Sequence, residues 1–270
     1  MDETNLPSEH PFWQVIKKTL PDLDAIRAEK IFKEIRMVKS NEEIKRIQKA
    51  VRITEKAWKT ALEQTREGMT EIEFEKIYQH TILLEGGKIL SRMGMYGSPI
   101  AFGRRTTFVD IAAPSNYKLK RGDIIRIDGG CSYMGYPCDI GRSAVLGQPS
   151  EKLLKYWNAI FEGEELAIDM AKHGVKASTI FNPVVEKVRK SGIPHYKRHH
   201  TGHGYGIEGY DPPLISPNDH TPLEEGMVLC FETPYYEVGW GGILHEDVVV
   251  ITKNEPHYLT TFEGELRIIE

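Results

Sequence analysis

Four acidic side chains stand in segments that are otherwise apolar. Asp128 closes the run 122–128 (GDIIRID), behind Ile124, Ile125 and Ile127. Glu232 closes the run 226–232 (GMVLCFE), and Glu246 precedes Val248, Val249, Val250 and Ile251. Asp139 lies in the stretch 136–146. A carboxylate withdrawn from water costs several kcal/mol unless opposite charge meets it. Arg126 and Arg142 are close enough in sequence to neutralise one or two of the four. A metal centre supplies the remaining positive charge. His203, in the run 202–206 (GHGYG), offers an imidazole where flanking glycines let the backbone crowd a site. Acidic oxygens in excess over one imidazole suit divalent Mn, Fe, Co or Zn, and Mg less well. Four carboxylates and one histidine exceed the needs of one ion. They match two ions about 3.5–4 Å apart that share bridging carboxylates and a bridging hydroxide.

The elements that would bring these residues together occur twice. Ser40 and Glu43 form a capping box that opens a helical stripe of Ile44, Ile47, Val51, Thr54, Trp58 and Leu62. Thr70 and Glu73 cap a second helix running to about Gly86, after the stop at Gly68. Ser150 begins a long amphipathic helix, and 178–190 a shorter one ended by Gly192. The helix-entry glycines Gly68 and Gly174 lie 106 residues apart, and Gly122 and Gly226 open matching strands 104 residues apart. Each of those strands follows a leucine (Leu119, Leu223), carries a carboxylate six residues after its glycine, and precedes a second acidic strand. Such recurrence predicts an internal repeat. The expected fold class is therefore α+β, a pseudo-two-fold domain with one curved antiparallel sheet and helices on its outer face. Residues 1–37 form a short lead with helices over 12–20 and 24–35. Residues 38–270 form the catalytic domain, its halves about 40–150 and 151–260.

Composition narrows the class. The 270 residues carry 35 Lys+Arg against 39 Asp+Glu, a formal charge of −4 that disfavours a nucleic-acid footprint. No apolar stretch approaches the ~20 residues that cross a bilayer. The first ten residues lack a basic-then-apolar leader pattern. Three cysteines without a CxxC fit reduced thiols, so a cytoplasmic protein is expected.

On these residues the sequence resembles the pita-bread metallopeptidases: aminopeptidase P, prolidase and methionine aminopeptidase, with creatinase as a metal-free relative. The likeness runs from about residue 36 to 251. It is carried by IDGGCSYMGYPCDIGRS, HTGHGYG, LEEGMVLCFETP and GGILHEDVVVIT. It implies the pita-bread fold and two divalent metal ions, manganese first, with iron, cobalt or zinc as alternatives. It implies that Asp128 holds one ion, His203 and Glu232 the other, that Asp139 and Glu246 bridge, and that Glu232 takes a proton from the attacking water. It also suggests a homodimer, and details around 232–247 resemble the aminopeptidase P and creatinase branch.

The departures concern substrate handling. The family histidine seventeen residues before the first Asp ligand is Ile111 here, and the one seven residues after the His ligand is Tyr210, followed by Asp211 and Pro212. The arginine that often stands two residues before the last Glu is Leu244, with His245 beside the ligand. Imidazole shuttles protons near neutral pH; isoleucine does not, and a phenol mostly donates a hydrogen bond. His199, His200 or His245 are candidates to fill the gap. Arg104 and Arg105 are candidates to clamp a substrate carboxylate, Tyr210 and Asp211 to touch substrate, and Trp240 to wall the pocket. Cys138, beside Asp139, is expected to point into the core. The expected activity is hydrolysis of an amide or other C–N bond in a small polar molecule or short peptide. The lost histidines favour a non-peptide substrate, with the Xaa-Pro peptide kept open. A metal-dependent lyase and an inactive binding module are the alternatives.

Overall fold

In a computed structural model, the described residues are 11–23, 28–92, 95–96, 100–108, 113–261 and 264–270. Their helices are α1 (Pro11–Thr19), α2 (Glu29–Met37), α3 (Asn41–Glu63), α4 (Glu71–Leu84), α5 (Glu151–Met170) and α6 (Ala177–Ser191). The strands of the first half are β1 (Lys88–Ile89), β2 (Ser91–Arg92), β3 (Met95–Tyr96), β4 (Ile100–Phe102), β5 (Ile124–Asp128), β6 (Cys131–Tyr133), β7 (Tyr136–Pro137) and β8 (Gly141–Leu146). The second half has β9 (Gly202–Gly204), β10 (Asp211–Leu214), β11 (Val228–Glu232), β12 (Tyr235–Glu237), β13 (Gly241–Ile243), β14 (Glu246–Val250), β15 (His257–Tyr258) and β16 (Arg267–Ile269). Two compact units divide the chain, Met1–Glu34 and Ile35–Glu270. Part of the helix expected over 24–35, residues 24–27, lies outside the described residues.

Local chemistry sets the helix starts. The Ser40 hydroxyl accepts from Glu43 N, while Glu43 Oε2 accepts from Ser40 N at 2.7 Å. Thr70 and Glu73 repeat the device. The stripe on α3 buries Ile47, Val51, Thr54, Trp58 and Leu62, as its spacing requires. No helix of the described residues is long and apolar enough to cross a membrane.

The main sheet runs β10-β9-β11-β14-β8-β5-β4, with β15 on β14 and β16 on β8. Its pairs are antiparallel except β16 with β8, a parallel addition that the alternation of segments did not reveal. The repeat persists down to single hydrogen bonds. Gly68 N donates to Leu119 O at 2.8 Å, and Gly174 N donates to Leu223 O at 2.8 Å. Thr70 bridges Lys118, and Lys176 bridges Pro222. Gly122 and Gly226 have φ of 87° and 88°. Ile125 and Ile127 of β5 pack in one core cluster with residues of α3 and α4. Leu229 and Phe231 of β11 pack in another with residues of α5 and α6.

The halves meet at a narrow seam. β14 and β8 share the single register pair Glu246↔Gly141. Beyond it the Ser143 hydroxyl substitutes for ladder bonds, donating to Leu244 O (3.1 Å) and accepting from Leu244 N (3.0 Å). The second acidic strand expected in each half is split in two, β7 from β8 and β13 from β14. Asp139 falls in the first break and His245 in the second, because the chain leaves the ladder where the seam opens.

Two arginines depart from expectation. Arg105 does not await a substrate carboxylate: its Nε lies 3.0 Å from both oxygens of buried Glu71, and its Nη2 donates to Ala113 O. Glu71 also accepts from Phe102 N, Ser115 N and Ser115 Oγ, so Arg105 is part of the network that surrounds this buried side chain. Arg104, on the same 3₁₀ turn (Gly103–Thr107), is exposed and does not line the acidic cavity.

Gly141 is the tightest point of the seam. A Cβ there would collide with Cγ and Cδ2 of Leu244, which is itself buried. We expect Gly141→Ala to destabilise the protein by about 1–3 kcal/mol through overpacking. Chemical denaturation checks this, and an unchanged midpoint would contradict it.

Candidate metal centre

Strand alternation and register bring the acidic residues to one place. Glu232 pairs directly with Glu246 across β11 and β14, Asp128 pairs with Gly141 across β5 and β8, and Glu246 pairs with Gly141 across the seam. His203 on β9 sits opposite Cys230 of β11. Asp139 enters from the turn between β7 and β8. The result is a cavity of about 110 Å³ lined by Asp128, Asp139, His203, Glu232 and Glu246, together with Arg198, His199, His200, Tyr210 and Tyr236. Donor atoms of Asp128, Asp139 and Glu246 lie within 4.8 Å of one another, as do those of His203, Cys230 and Glu246.

Charge is only partly balanced. Arg126 Nη1 donates to Asp128 Oδ2 at 3.1 Å, and Arg198 Nη2 donates to Glu232 Oε2 at 2.9 Å. The second pair was not anticipated. Two of the four carboxylates thus each meet a guanidinium. The strain appears at Glu246: burial, and then Asp139, Glu232 and Asp128, push its carboxyl well above the usual range. Burial, reinforced by Arg198, depresses His200 to about 2, so its ring stays neutral 3.4 Å from Glu232 Oε1. His203 Nδ1 contacts Gly204 O at 3.1 Å. With the proton on Nδ1, the ring presents the Nε2 lone pair toward Asp139 (4.0 Å) and Cys230. The oxygen-rich donor set and the imidazole fit divalent cations.

A curled sheet thus gathers acidic side chains and such an imidazole around one cavity, the arrangement of a candidate metal centre. Comparison with known proteins specifies the class. The model of metallopeptidase family M24 matches residues 45–253. The chain is 32% identical over 264 residues to a Xaa-Pro dipeptidase of Pyrococcus horikoshii, covering 98% of this chain and 73% of the relative. It is 34% identical over 236 residues to the Xaa-Pro dipeptidase of Pyrococcus furiosus, covering 87% and 66%. Among solved structures, X-Pro aminopeptidase from Thermotoga maritima superposes with a TM-score of 0.88 at 30% identity, covering 96% of this chain and 71% of the other. This protein belongs to metallopeptidase family M24, and its fold is the pita-bread fold.

The expected substrate residues fare unequally. Tyr210 lines the cavity and stacks on His203, ring centroids 3.9 Å apart at 21°. Ile111 lies outside the described residues. His245 turns to the opposite face of β14. It is 1% exposed, its Nδ1 lies 2.5 Å from Glu164 Oε2, and Trp157 and Phe161 pack edge-on to it. Alternation explains this, because the residue next to an inward Glu246 must face outward. Asp211 is likewise buried away from the cavity, paired with Arg36 and 3.8 Å from Lys39 Nζ. Trp240 packs on Tyr156 beneath Lys152 and does not wall the pocket. Cys138 is buried in the core as expected. His199 and His200 do line the cavity, so imidazoles are present there. Arg198, Tyr236 and Cys230 were missed. Cys230 was readable, since it stands two residues before Glu232 on the same strand face.

The Asp211 cluster carries a test. Burial lowers the Lys39 ammonium from 10.5 to about 8, although Asp211 and Glu43 oppose the shift. Between those values the unfolded lysine holds its proton while the folded one has released it. The unfolded state therefore binds more protons, and this group makes stability rise with pH across that window. Lys39→Met should remove that component of the rise in denaturation series spanning it. Identical slopes in the two proteins would contradict the assignment.

Proposed function

We propose that residues 38–270 form the catalytic unit, with 1–37 as a lead, and that it hydrolyses an amide C–N bond of short peptides. Xaa-Pro dipeptides are the first class to test. Asp128, Asp139, His203, Glu232 and Glu246 would hold two divalent ions, Asp139 and Glu246 shared between them. The observation that carries this is the convergence of four carboxylates and the His203 imidazole on one cavity. The named activity of the two archaeal relatives supports the peptide class. The ions would lower the pKa of water and polarise the scissile carbonyl.

The chain's own groups prepare the step. Arg198 orients Glu232 through Oε2, and Glu232 would accept a proton from the attacking water. His200, held neutral 3.4 Å from Glu232, adds no competing cation beside it. Arg126 holds Asp128 and is itself fixed by Phe108 O at 2.8 Å. Burial raises Tyr210, so its hydroxyl donates a hydrogen bond to substrate and keeps its proton at neutral pH. The oxygen-rich ligands favour manganese over iron, cobalt or zinc as the working assignment. Three free buried thiols suit a reducing cytoplasm, and the family likeness suggests a homodimer.

A second substrate class follows from Tyr210. A phenol stacked on His203, where the related peptidases are expected to carry an imidazole, favours a small non-peptide amide. A panel of Xaa-Pro dipeptides and small amides, assayed with and without added metal, separates the two. Chelation should abolish turnover and metal should restore it. Glu232→Gln should lower kcat by about 10²–10⁴-fold, the range for a lost general base, while bound metal persists. Hydrolysis must place oxygen from labelled water in the product, which distinguishes it from elimination. Metal-loaded protein inert toward the whole panel would leave the inactive binding module as the reading.

A further inference from the structure

Cys230 occupies a place that the five expected ligands do not explain. It shares the inward face of β11 with Glu232, two residues on, and is fully buried. Its Sγ lies 3.2 Å from His203 Nε2 and 2.8 Å from Glu246 Oε1. With the His203 proton on Nδ1, facing Gly204 O at 3.1 Å, Nε2 meets the sulfur as a lone pair. Donors at about 2.1 Å (nitrogen) and 2.3 Å (sulfur) from one first-row ion stand about 3.1 Å apart when they subtend a right angle. The observed sulfur–nitrogen separation has that size. The other two cysteines supply the contrast. Cys131 Sγ meets the Ala50 carbonyl and the Thr54 hydroxyl, and Cys138 is packed in the α3 cluster; neither falls within a group of donors spaced to hold an ion.

We propose that Cys230 is a sixth protein ligand of this centre, binding as thiolate the ion held by His203. The inference rests on the metal centre proposed above. On binding, the S–H bond is exchanged for a sulfur–metal bond and the proton leaves to solvent. The consequence is selectivity within the pair of ions. The position bounded by Asp128 and Asp139 is all oxygen and suits manganese. The position bounded by His203 and Cys230 is softer and suits zinc, cobalt or iron(II). The centre is then built for two unlike ions, and manganese alone would fill it incompletely.

Cobalt(II) loading of the full chain and of Cys230→Ser provides the test, with bound cobalt counted in each. The wild type should show a near-ultraviolet sulfur-to-cobalt charge-transfer band that Cys230→Ser lacks, both still binding cobalt. Zinc affinity should fall roughly 10–100-fold in the variant, the loss typical of removing a supporting group at a metal site, and manganese affinity should fall less. Zinc X-ray absorption on the wild type should find a sulfur scatterer at about 2.3 Å; it decides the matter even if the variant fails to fold. Bound cobalt or zinc with only nitrogen and oxygen neighbours, or a band that survives in Cys230→Ser, overturns the thiolate and leaves the metal centre intact. No cobalt uptake by the wild type overturns both.

Discussion

Like-charge repulsion at the seam is the constraint around which this molecule is arranged. Glu232 and Glu246 face each other across one register pair, Asp128 and Asp139 close on them, and all four line one small cavity. Burial alone would drive carboxylates in such a place to take up protons, as the upward shift at Glu246 shows. Arg126 and Arg198 answer one carboxylate each. They do so without filling the cavity, because each approaches from the side: Arg126 from the strand that carries Asp128, Arg198 from the segment before β9. The four side chains still face one cavity, and an ion that bound only the assembled seam would stabilise it by mass action.

The same constraint accounts for where the sheet is irregular. A continuous ladder between β14 and β8 would draw the two halves together along their length and leave no cavity. One register pair, followed by a side-chain bridge through Ser143, joins them while allowing divergence. Gly141 permits the single close approach. The pseudo-two-fold repeat is the economical way to reach this geometry, because each half contributes one strand ending in a carboxylate and a second bringing another.

Much of this was written in the sequence, for reasons that differ by residue. The two capping boxes and the stripe on α3 are local, and local chemistry determined them. The repeat was legible because four features recurred at nearly constant offset. The acidic residues stood out because Asp128, Glu232 and Glu246 interrupt or border apolar strands. Pairings across long sequence distance were opaque. Nothing near Arg105 announces Glu71, thirty-four residues earlier, and nothing near Asp211 announces Arg36. His245 shows a different failure, in which proximity to Glu246 in sequence suggested proximity in space although alternation requires the opposite. Arg126 was legible as a neutralising charge because it stands two residues before Asp128, with which it pairs.

The face of β14 away from the cavity completes the argument. There His245 meets Glu164, while Asp247 pairs with Arg142. Arg142 also donates to the carbonyls of Gly141 and Glu246, the two residues of the seam pair. One guanidinium thus grips both strands from behind at the point where their front faces carry repelling charge. The buried Glu164, His245 and Asp247 set the orientation of that clamp and of the strand it holds. A hydrophobic patch could fill the same volume. It could not fix the position of two carbonyls against lateral slip, and the spacing of Asp128, Asp139 and Glu246 in front depends on that position. The polar cluster behind the sheet thus meets the seam from the face opposite the acidic residues.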